Sequence, residues 1–379
     1  MAKLGEVCTI VSGSTPKTSV TSYWDGNIKW ITPAELNEDS FYIMDSVRHI
    51  TEEGKEKTGL SYLPTGTVIL SSRAPIGKTA IAGCEMCCNQ GFKNLICSDA
   101  IYNEYLYFFL KSKTDYLNSL GRGATFKEIS KSIVESIEIP LPEVNQQKEI
   151  AEEFKKLEQL ISLRKQQLAK LDELVKARFV EMFGESEYPC NSLISLIIEG
   201  AGLSYGIVQP GDDGTGDMGV LRPVDLADGK IKTDSIKYID RSLGDGFKKT
   251  ELNGNELLIT VRGTTGITAL TDSRFKGMNV TRGIAVIRYD KKKVDPIYLN
   301  EYIKMEKSQQ YIKEHTRGAT LQQINLSELR DLEVVIPPLP LQRVFATFVE
   351  RVDQQKQTVQ QSLEKLELMK KALMQEYFG

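Results

Sequence analysis

The sequence has few of the features by which membrane proteins and many enzymes are recognised. Only 2 of its 379 residues are histidine. No run of residues approaches the roughly 18 apolar residues that a membrane span needs. The first residues also lack the apolar core of a signal peptide. We therefore expect a cytoplasmic protein that has no membrane partner.

Catalytic motifs are missing as well. The Asn-Pro-Pro-Tyr or Asp-Pro-Pro-Tyr stretch of adenine methyltransferases does not occur, and two histidines give little scope for a Ser–His–Asp triad. Gly77-Lys78-Thr79 resembles the end of a phosphate-binding loop, but the glycine required five residues earlier is replaced by Ser72. We expect no catalytic residue and no cofactor bound by this chain.

The cysteines do not form a convincing metal motif. Cys84 and Cys87 have the spacing of zinc ligands, and Cys88 and Cys97 lie nearby. A zinc site usually draws on a second pair or on histidines placed downstream, and neither follows here. Free, partly buried thiols and no bound metal are the expected outcome.

The chain has no excess of basic residues. Its net charge is −3, and residues 1–142 carry 14 Lys and Arg against 16 Asp and Glu, whereas residues 186–338 carry 20 against 21. A strong DNA binder usually has a basic face. If this protein binds DNA, its basic residues must be gathered on one surface.

The sequence contains an internal repeat, which indicates two related structural units. Arg122-Gly123-Ala124-Thr125 recurs as Arg317-Gly318-Ala319-Thr320 at an offset of 195 residues, which also relates Gln147 to Gln342. Upstream, Arg73 and Gly77 correspond to Arg262 and Gly266 at an offset of 189 residues. Asn279-Val280-Thr281 is matched to Asn89-Gln90-Gly91 at an offset of 190 residues. The chain is thus a domain and a helix, repeated once in diverged form.

Each repeat ends in a long stretch with apolar residues spaced by three and four. This pattern predicts a coiled coil. The seam ends at Met182 in the first stretch and at Tyr377 in the second. Its other members are Ile150, Phe154, Leu157, Ile161, Leu168, Leu171 and Val175 in the first stretch, and Phe345, Val349, Val352, Val359, Leu363, Leu366 and Leu373 in the second.

The connectivity predicts how the two helices pair. The second globular domain starts where the first helix ends and finishes where the second begins, so parallel helices would force it to bridge roughly 60 Å. We predict an α+β protein in which two repeated mixed α/β recognition domains are separated by two long helices. The helices form an intramolecular antiparallel coiled coil with pseudo-twofold symmetry. The predicted segments are 1–142, 143–185, 186–338 and 339–379.

Two related but different domains on a helical spacer suggest a DNA target made of two different half-sites. At this point the chain resembles the specificity subunits of type I restriction–modification systems, over essentially its whole length. The resemblance rests on Trp30-Ile31-Thr32-Pro33, Arg73 to Gly77, Asn89-Gln90-Gly91, the repeated Arg-Gly-Ala-Thr element and Ile139-Pro140-Leu141-Pro142.

The resemblance implies a function and partners. Such a subunit would bind double-stranded DNA and recruit two methyltransferase subunits and restriction endonuclease/translocase subunits. S-adenosylmethionine, ATP and magnesium would then be bound by those partners. The alternatives are a two-headed DNA-binding regulator or architectural protein, a coiled-coil scaffold that binds proteins, and an enzyme active by itself, against which the missing motifs argue.

The candidate DNA contacts are polar and basic residues in glycine-bearing turns and unmatched loops. Positions shared by both repeats favour phosphate or structural roles, and base readout is expected where the repeats disagree. In the first repeat the candidates are Ser12, Ser14, Thr15 and Lys17 of a flexible loop, with Arg73, Lys78, Asn89, Gln90, Lys93, Arg122 and Thr125. In the second they are Arg222, Arg262, Thr264, Thr265, Asn279, Arg282, Arg317 and Thr320.

Overall fold

A computed structural model describes residues 1–123, 127–184, 187–208, 216–227, 229–319 and 321–379. Within these ranges the chain forms two compact units. Unit 1 comprises Met1–Gln166 and Gln360–Gly379, and unit 2 comprises Gln167–Val359. Each unit therefore contains a globular part and a portion of both long helices.

The globular part of unit 1 combines short strands with short helices. Its described strands are β1 (Ala2–Lys3), β2 (Cys8–Ser12), β3 (Trp24–Ile31), β4 (Tyr42–Ile43), β5 (Arg48–Ile50), β6 (Val68–Ser71), β7 (Thr79–Ala82), β8 (Cys87–Cys88), β9 (Phe92–Cys97) and β10 (Glu138–Ile139). The helices are α1 (Leu4–Val7), α2 (Glu52–Thr58), α3 (Asn103–Ser112), α4 (Thr114–Leu120), α5 (Lys131–Glu135) and the long α6 (Val144–Phe183). The main sheet has the order β2-β9-β6-β7-β4, and a smaller sheet has the order β5-β3-β8.

Unit 2 repeats this arrangement with smaller sheets. Its described strands are β11 (Cys190–Ser192), β12 (Met218–Leu221), β13 (Leu226–Ala227), β14 (Lys230–Ile231), β15 (Lys237–Ile239), β16 (Leu257–Thr260), β17 (Thr268–Leu270), β18 (Asn279–Val280), β19 (Ile284–Ile287), β20 (Thr316–Arg317), β21 (Gln323–Ile324) and β22 (Glu333–Val335). The helices are α7 (Pro296–Lys304), α8 (Glu306–His315), α9 (Leu326–Arg330) and the long α10 (Leu339–Phe378). Sheets of order β17-β16-β19 and β15-β12-β18 correspond to the two larger sheets of unit 1.

The long helices α6 and α10 run antiparallel within each unit. In unit 1, Glu158 of α6 pairs with Lys370 near the end of α10, and in unit 2 Asp172 pairs with Lys356. The residues of the predicted seam are buried or half-buried. In the described part of the chain, no helix is both long enough and apolar enough to cross a membrane.

At the ends of the two helices the buried residues differ from the predicted seam. Phe179, Phe183 and Phe378 are buried, whereas Met182 and Tyr377 are only partly buried. Phe179 stacks on Tyr298 of α7 with ring centroids 5.8 Å apart. The helix ends therefore face the core of a globular part as well as the other helix, and the broader apolar stripe follows the 3.6-residue period of a helix on a core.

An ion-pair group joins three helices of unit 1. Glu158 of α6 accepts hydrogen bonds from Lys111 of α3 (3.1 Å) and from Lys370 of α10 (2.6 Å). Only 24% of the Glu158 side chain is exposed. Burial by itself would raise the pKa of Glu158, but the two ammonium groups outweigh it and the pKa lies below its ordinary value.

Replacing Glu158 with glutamine should lower the free energy of unfolding of unit 1 by about 1–2 kcal/mol at neutral pH, because two lysines lose a partly buried partner. A carboxylate with a lowered pKa stabilises the fold above its unfolded pKa, about 4.3, and this contribution is lost as the pH falls through the folded pKa. The difference between E158Q and the unmodified protein should therefore shrink below about pH 4.

Tryptophan fluorescence during urea unfolding measures this effect, since both tryptophans of the chain, Trp24 and Trp30, lie in unit 1. The exposed Glu149 of the same helix gives the control variant E149Q, which should be neutral. An E158Q deficit of equal size at acidic and neutral pH would contradict the assignment of this stability to the ion pairs.

Candidate nucleic-acid interface

A carboxylate holds two of the predicted DNA-contacting cations in unit 1. Arg73 Nε donates to Glu128 at 2.9 Å, and Lys93 Nζ donates to the other carboxylate oxygen at 3.2 Å. The backbone of Glu128 also exchanges two hydrogen bonds of 3.0 Å with Arg122. The turn predicted after β6 thus comes together with Arg122, the first residue of the Arg-Gly-Ala-Thr element, but Glu128 was not among the predicted residues.

Glu128 is ionised at neutral pH. Burial acts to raise its pKa, but the hydrogen bonds and positive charges of Arg73 and Lys93 lower it below the ordinary value for glutamate. Lys93 is nearly buried, with 8% of its side chain exposed, whereas Arg73 is 45% exposed. Arg73 is therefore the more exposed of the two cations that pair with Glu128.

Hydrogen bonds from two tryptophans anchor the loop after β2, which was predicted to be flexible. Ser12 is the last residue of β2 and pairs with Lys93 of β9. The indole N–H of Trp30 donates to the Ser14 carbonyl at 3.0 Å, and that of Trp24 donates to the Lys17 carbonyl at 3.3 Å. Two buried rings thereby fix the path of the loop and leave the Lys17 side chain exposed.

The structure brings this loop against the predicted polar loop after β8. The Thr15 hydroxyl donates to the Gln90 side-chain carbonyl, and the Asn89 amide donates to the Thr15 hydroxyl at 3.4 Å. Ser14 joins them through a backbone hydrogen bond of 3.0 Å to the Cys88 carbonyl. These four predicted residues form one half-exposed polar patch.

Lys78 is placed differently from the other candidates. Its ammonium donates to the backbone carbonyls of Leu36 at 2.6 Å and Pro33 at 3.4 Å. These bonds tie the turn after β6 to the loop after β3. In this conformation Lys78 serves the fold of unit 1.

Backbone hydrogen bonds identify which positions of the two units correspond. Ser72 N donates to the Gly91 carbonyl at 2.7 Å, and Val261 N donates to the Gly283 carbonyl at 2.8 Å. Gly283 is therefore the counterpart of Gly91, three residues later than an offset of 189 places it. The repeat contains a small insertion before β18 that the sequence comparison missed.

The predicted match of Asn279 with Asn89 is wrong for this reason. Thr281-Arg282 is the counterpart of Asn89-Gln90, and Arg282 is exposed. Asn279 is fully buried; its side-chain oxygen accepts from the Thr250 hydroxyl at 2.8 Å, and its amide donates to the Phe247 carbonyl at 3.2 Å. It has no exposed surface from which to contact DNA.

Unit 2 presents glutamine where unit 1 presents Glu128. Arg262 and Arg317 both pair with Gln323 through the backbone, as Arg73 and Arg122 do with Glu128 in unit 1. Arg317 reaches Glu328 at 3.5 Å with 77% of its side chain exposed. Position 323 is one of the places where the repeats disagree, so the repeat alignment could have singled it out.

The remaining candidates of unit 2 have local roles. Arg222 forms an ion pair with Asp225 at 3.0 Å and caps a short turn, as Thr32 does with Glu35 in unit 1. The Thr265 and Thr316 hydroxyls lie 3.1 Å apart, and Thr264 is exposed. Thr125 and Thr320 lie outside the described residues.

The cysteines are free. Burial raises the pKa of Cys87 to about 11 and that of Cys88 to about 12, so both remain protonated thiols. Cys84 accepts a hydrogen bond from Lys29 Nζ at 3.3 Å. Across the described residues, no group of three or more His, Cys, Asp or Glu side chains is placed to hold a metal ion.

Both repeats match one family model. The type I restriction modification DNA specificity domain matches residues 1–173 and 214–368. The two matches take in all the described candidate residues named above, with both members of each corresponding pair. They also include most of α6 and α10.

Two similar curated proteins are named type I restriction enzyme specificity subunits. The chain is 38% identical over 188 residues to the type I restriction enzyme MjaIX specificity subunit of Methanocaldococcus jannaschii, covering 49% of this chain and 44% of that protein. It is 21% identical over 280 residues to the EcoBI specificity subunit of Escherichia coli, covering 66% of this chain and 59% of that protein. The aligned region thus spans about half the length of these relatives.

Solved structures share the fold across the full chain. The S subunit of the type I restriction–modification system from M. genitalium has a TM-score of 0.54 at 16% identity, covering 100% of this chain and 95% of the other. A chain from a study of complex assembly and conformational transition of the type I system has a TM-score of 0.64 at 16% identity, covering 100% and 96%.

Proposed function

Because the chain belongs to the family of type I restriction–modification DNA specificity domains, we propose that it selects a bipartite, asymmetric DNA sequence. Each unit reads one half-site. The chain performs no chemistry on DNA itself. It acts in the cytoplasm as the part of a larger complex that chooses where that complex works.

One observation carries this proposal. The two units use the same backbone hydrogen bonds to present different side chains at corresponding positions. Asn89-Gln90 is replaced by Thr281-Arg282. Equivalent supports with different polar groups suit two readers of different base sequences, since base edges are distinguished by their donors and acceptors.

The partners follow from the same proposal. Two methyltransferase subunits dock on this chain and bind S-adenosylmethionine, and restriction endonuclease/translocase subunits join them and bind ATP and magnesium. The near-neutral charge of both globular parts supports a division of labour in which partners complete the affinity for DNA.

Mapping methylated adenines across the genome with and without this gene tests the proposal. We expect one split, asymmetric motif to lose its methyl mark in the deletion strain and to regain it when the gene is restored. A restored gene carrying Thr281→Asn and Arg282→Gln should alter the motif in one half only, because the exchanged residues lie in unit 2.

The restored unmodified gene is the control for expression and assembly. A methylome that is the same with and without the gene, while the gene and its partners are expressed, would contradict the proposal. It would favour a two-headed regulator or a protein scaffold instead.

A further inference from the structure

The two units differ in whether the arginine at the position of Arg73 or Arg262 is neutralised by an acid. In unit 1 the Glu128 group consists of Glu128, Arg73 and Lys93. In unit 2 the Gln323 group consists of Gln323 and Arg262, and the strand register places Ala285 opposite Lys93. Arg73 and Arg262 are exact counterparts, since each forms an isolated backbone bridge to the residue at the Glu128 or Gln323 position.

In unit 1 the Glu128 carboxylate already forms ion pairs with Arg73 and Lys93. The two Glu128 oxygens lie 2.9 Å from Arg73 Nε and 3.2 Å from Lys93 Nζ. A DNA phosphate that approaches Arg73 must compete with this carboxylate and is repelled by its charge at short range. The Glu128 group therefore offers a phosphate little net attraction.

In unit 2 the cation that corresponds to Arg73 is open. Arg262 is half-buried and forms no ion pair with an acidic side chain in the part of the chain that the structure describes. Glu328 is paired with Arg317, the backbone neighbour of Gln323.

We propose that the Gln323 group is a binding site for a phosphate of the DNA backbone, and that Glu128 blocks the corresponding site in unit 1. This inference rests on the proposed function and adds that the two units hold the backbone unequally. Arginine is suited to this role because its planar guanidinium binds phosphate through two hydrogen bonds. Phosphate contacts position a protein without reading sequence, so the inequality affects affinity and leaves the choice of bases unchanged.

Reciprocal exchange of the two residues tests the inference. The full-length chain is titrated with a fluorescent DNA duplex of about 40 base pairs and mixed sequence over a range of salt concentrations, because non-specific binding reports backbone contacts. Glu128→Gln should tighten binding about threefold at ~0.1 M salt and steepen the salt dependence by about one unit of log–log slope. Gln323→Glu should weaken binding and flatten the slope by similar amounts.

Glu149→Gln on α6 is the matched control, because it changes net charge as Glu128→Gln does but lies outside both groups. Arg262→Gln is a second variant that should mimic Gln323→Glu, and thermal melts check that each variant is folded. Unchanged slopes for Glu128→Gln and Gln323→Glu, with normal duplex binding, would overturn the inference and leave the proposed function standing. Failure of every variant and of the unmodified chain to bind the duplex, even at about 50 mM salt, would also overturn it. The methylation experiment still decides the proposed function in that case.

Discussion

Replacing Phe154 with alanine should lower the free energy of unfolding of unit 1 by about 3–5 kcal/mol, which is the usual cost of removing a buried aromatic ring. Phe154 is fully buried. Its ring stacks on Phe108 of α3 at 5.1 Å and on Phe378 of α10 at 5.6 Å. It is therefore the shared contact of the globular part and both long helices in unit 1.

Urea unfolding followed by tryptophan fluorescence measures this loss, because Trp24 and Trp30 both report on unit 1. Leu160 lies on the same helix with 46% of its surface exposed, so Leu160→Ala is the matched control and should cost less than about 0.5 kcal/mol. Equal transitions for Phe154→Ala and the control would show that the three elements do not share a core at this position.

Replacing Gln147 with leucine should destabilise unit 1 by about 3 kcal/mol. The Gln147 side chain is fully buried at the start of α6 and accepts a hydrogen bond from Tyr102 N at 2.8 Å. Its amide donates to the carbonyls of Ala100 at 3.0 Å and Pro142 at 2.8 Å. Leucine fills the space but leaves three backbone groups of partly buried hydrogen bonds without their partner, and each loss costs about 1 kcal/mol.

The neighbouring Gln146 is exposed, and Gln146→Leu gives a control with the same change of side chain. Gln342 is the counterpart in unit 2, where its side chain bonds Asp295 N at 2.9 Å and the Pro337 carbonyl at 2.7 Å. Gln342→Leu should shift unfolding seen by circular dichroism and spare the tryptophan transition. A neutral Gln147→Leu would refute the view that this amide fixes the junction of helix and globular part.

The two long helices were predictable because apolar residues recur in the sequence with a regular spacing. The heptad spacing predicted both long helices, and the apolar stripe of each helix required a partner to bury it. The chain connectivity then predicted that the two helices pair in antiparallel orientation. The repeated Gln147 and Gln342 were visible as a match, but their buried hydrogen bonds were not. A polar residue shared by two repeats gives no indication of whether it faces solvent or backbone.

The candidate site was predictable in its location more than in its contacts. Arg73 and Arg122 share the bridge partner Glu128, and Arg262 and Arg317 share Gln323, so these predicted candidates lie together in each unit. The pairing of Arg73 with Glu128 was missed because the two residues are 55 positions apart and no sequence period relates them. The misplacement of Asn279 came from a three-residue insertion before a strand of only two residues, too short for alternation to fix its register.

The division of the long helices between units has a consequence for how the protein is made. Unit 2 is one continuous stretch, Gln167–Val359, whereas unit 1 needs Gln360–Gly379 as well as Met1–Gln166. The contact between Glu153 and Tyr377 spans 224 residues of sequence. On the ribosome, the part of unit 1 that emerges first must wait for the whole of unit 2 before Phe378 can fill its core. The portion synthesised first is thus the last to be completed, and its unfilled apolar face is exposed meanwhile to chaperones and proteases.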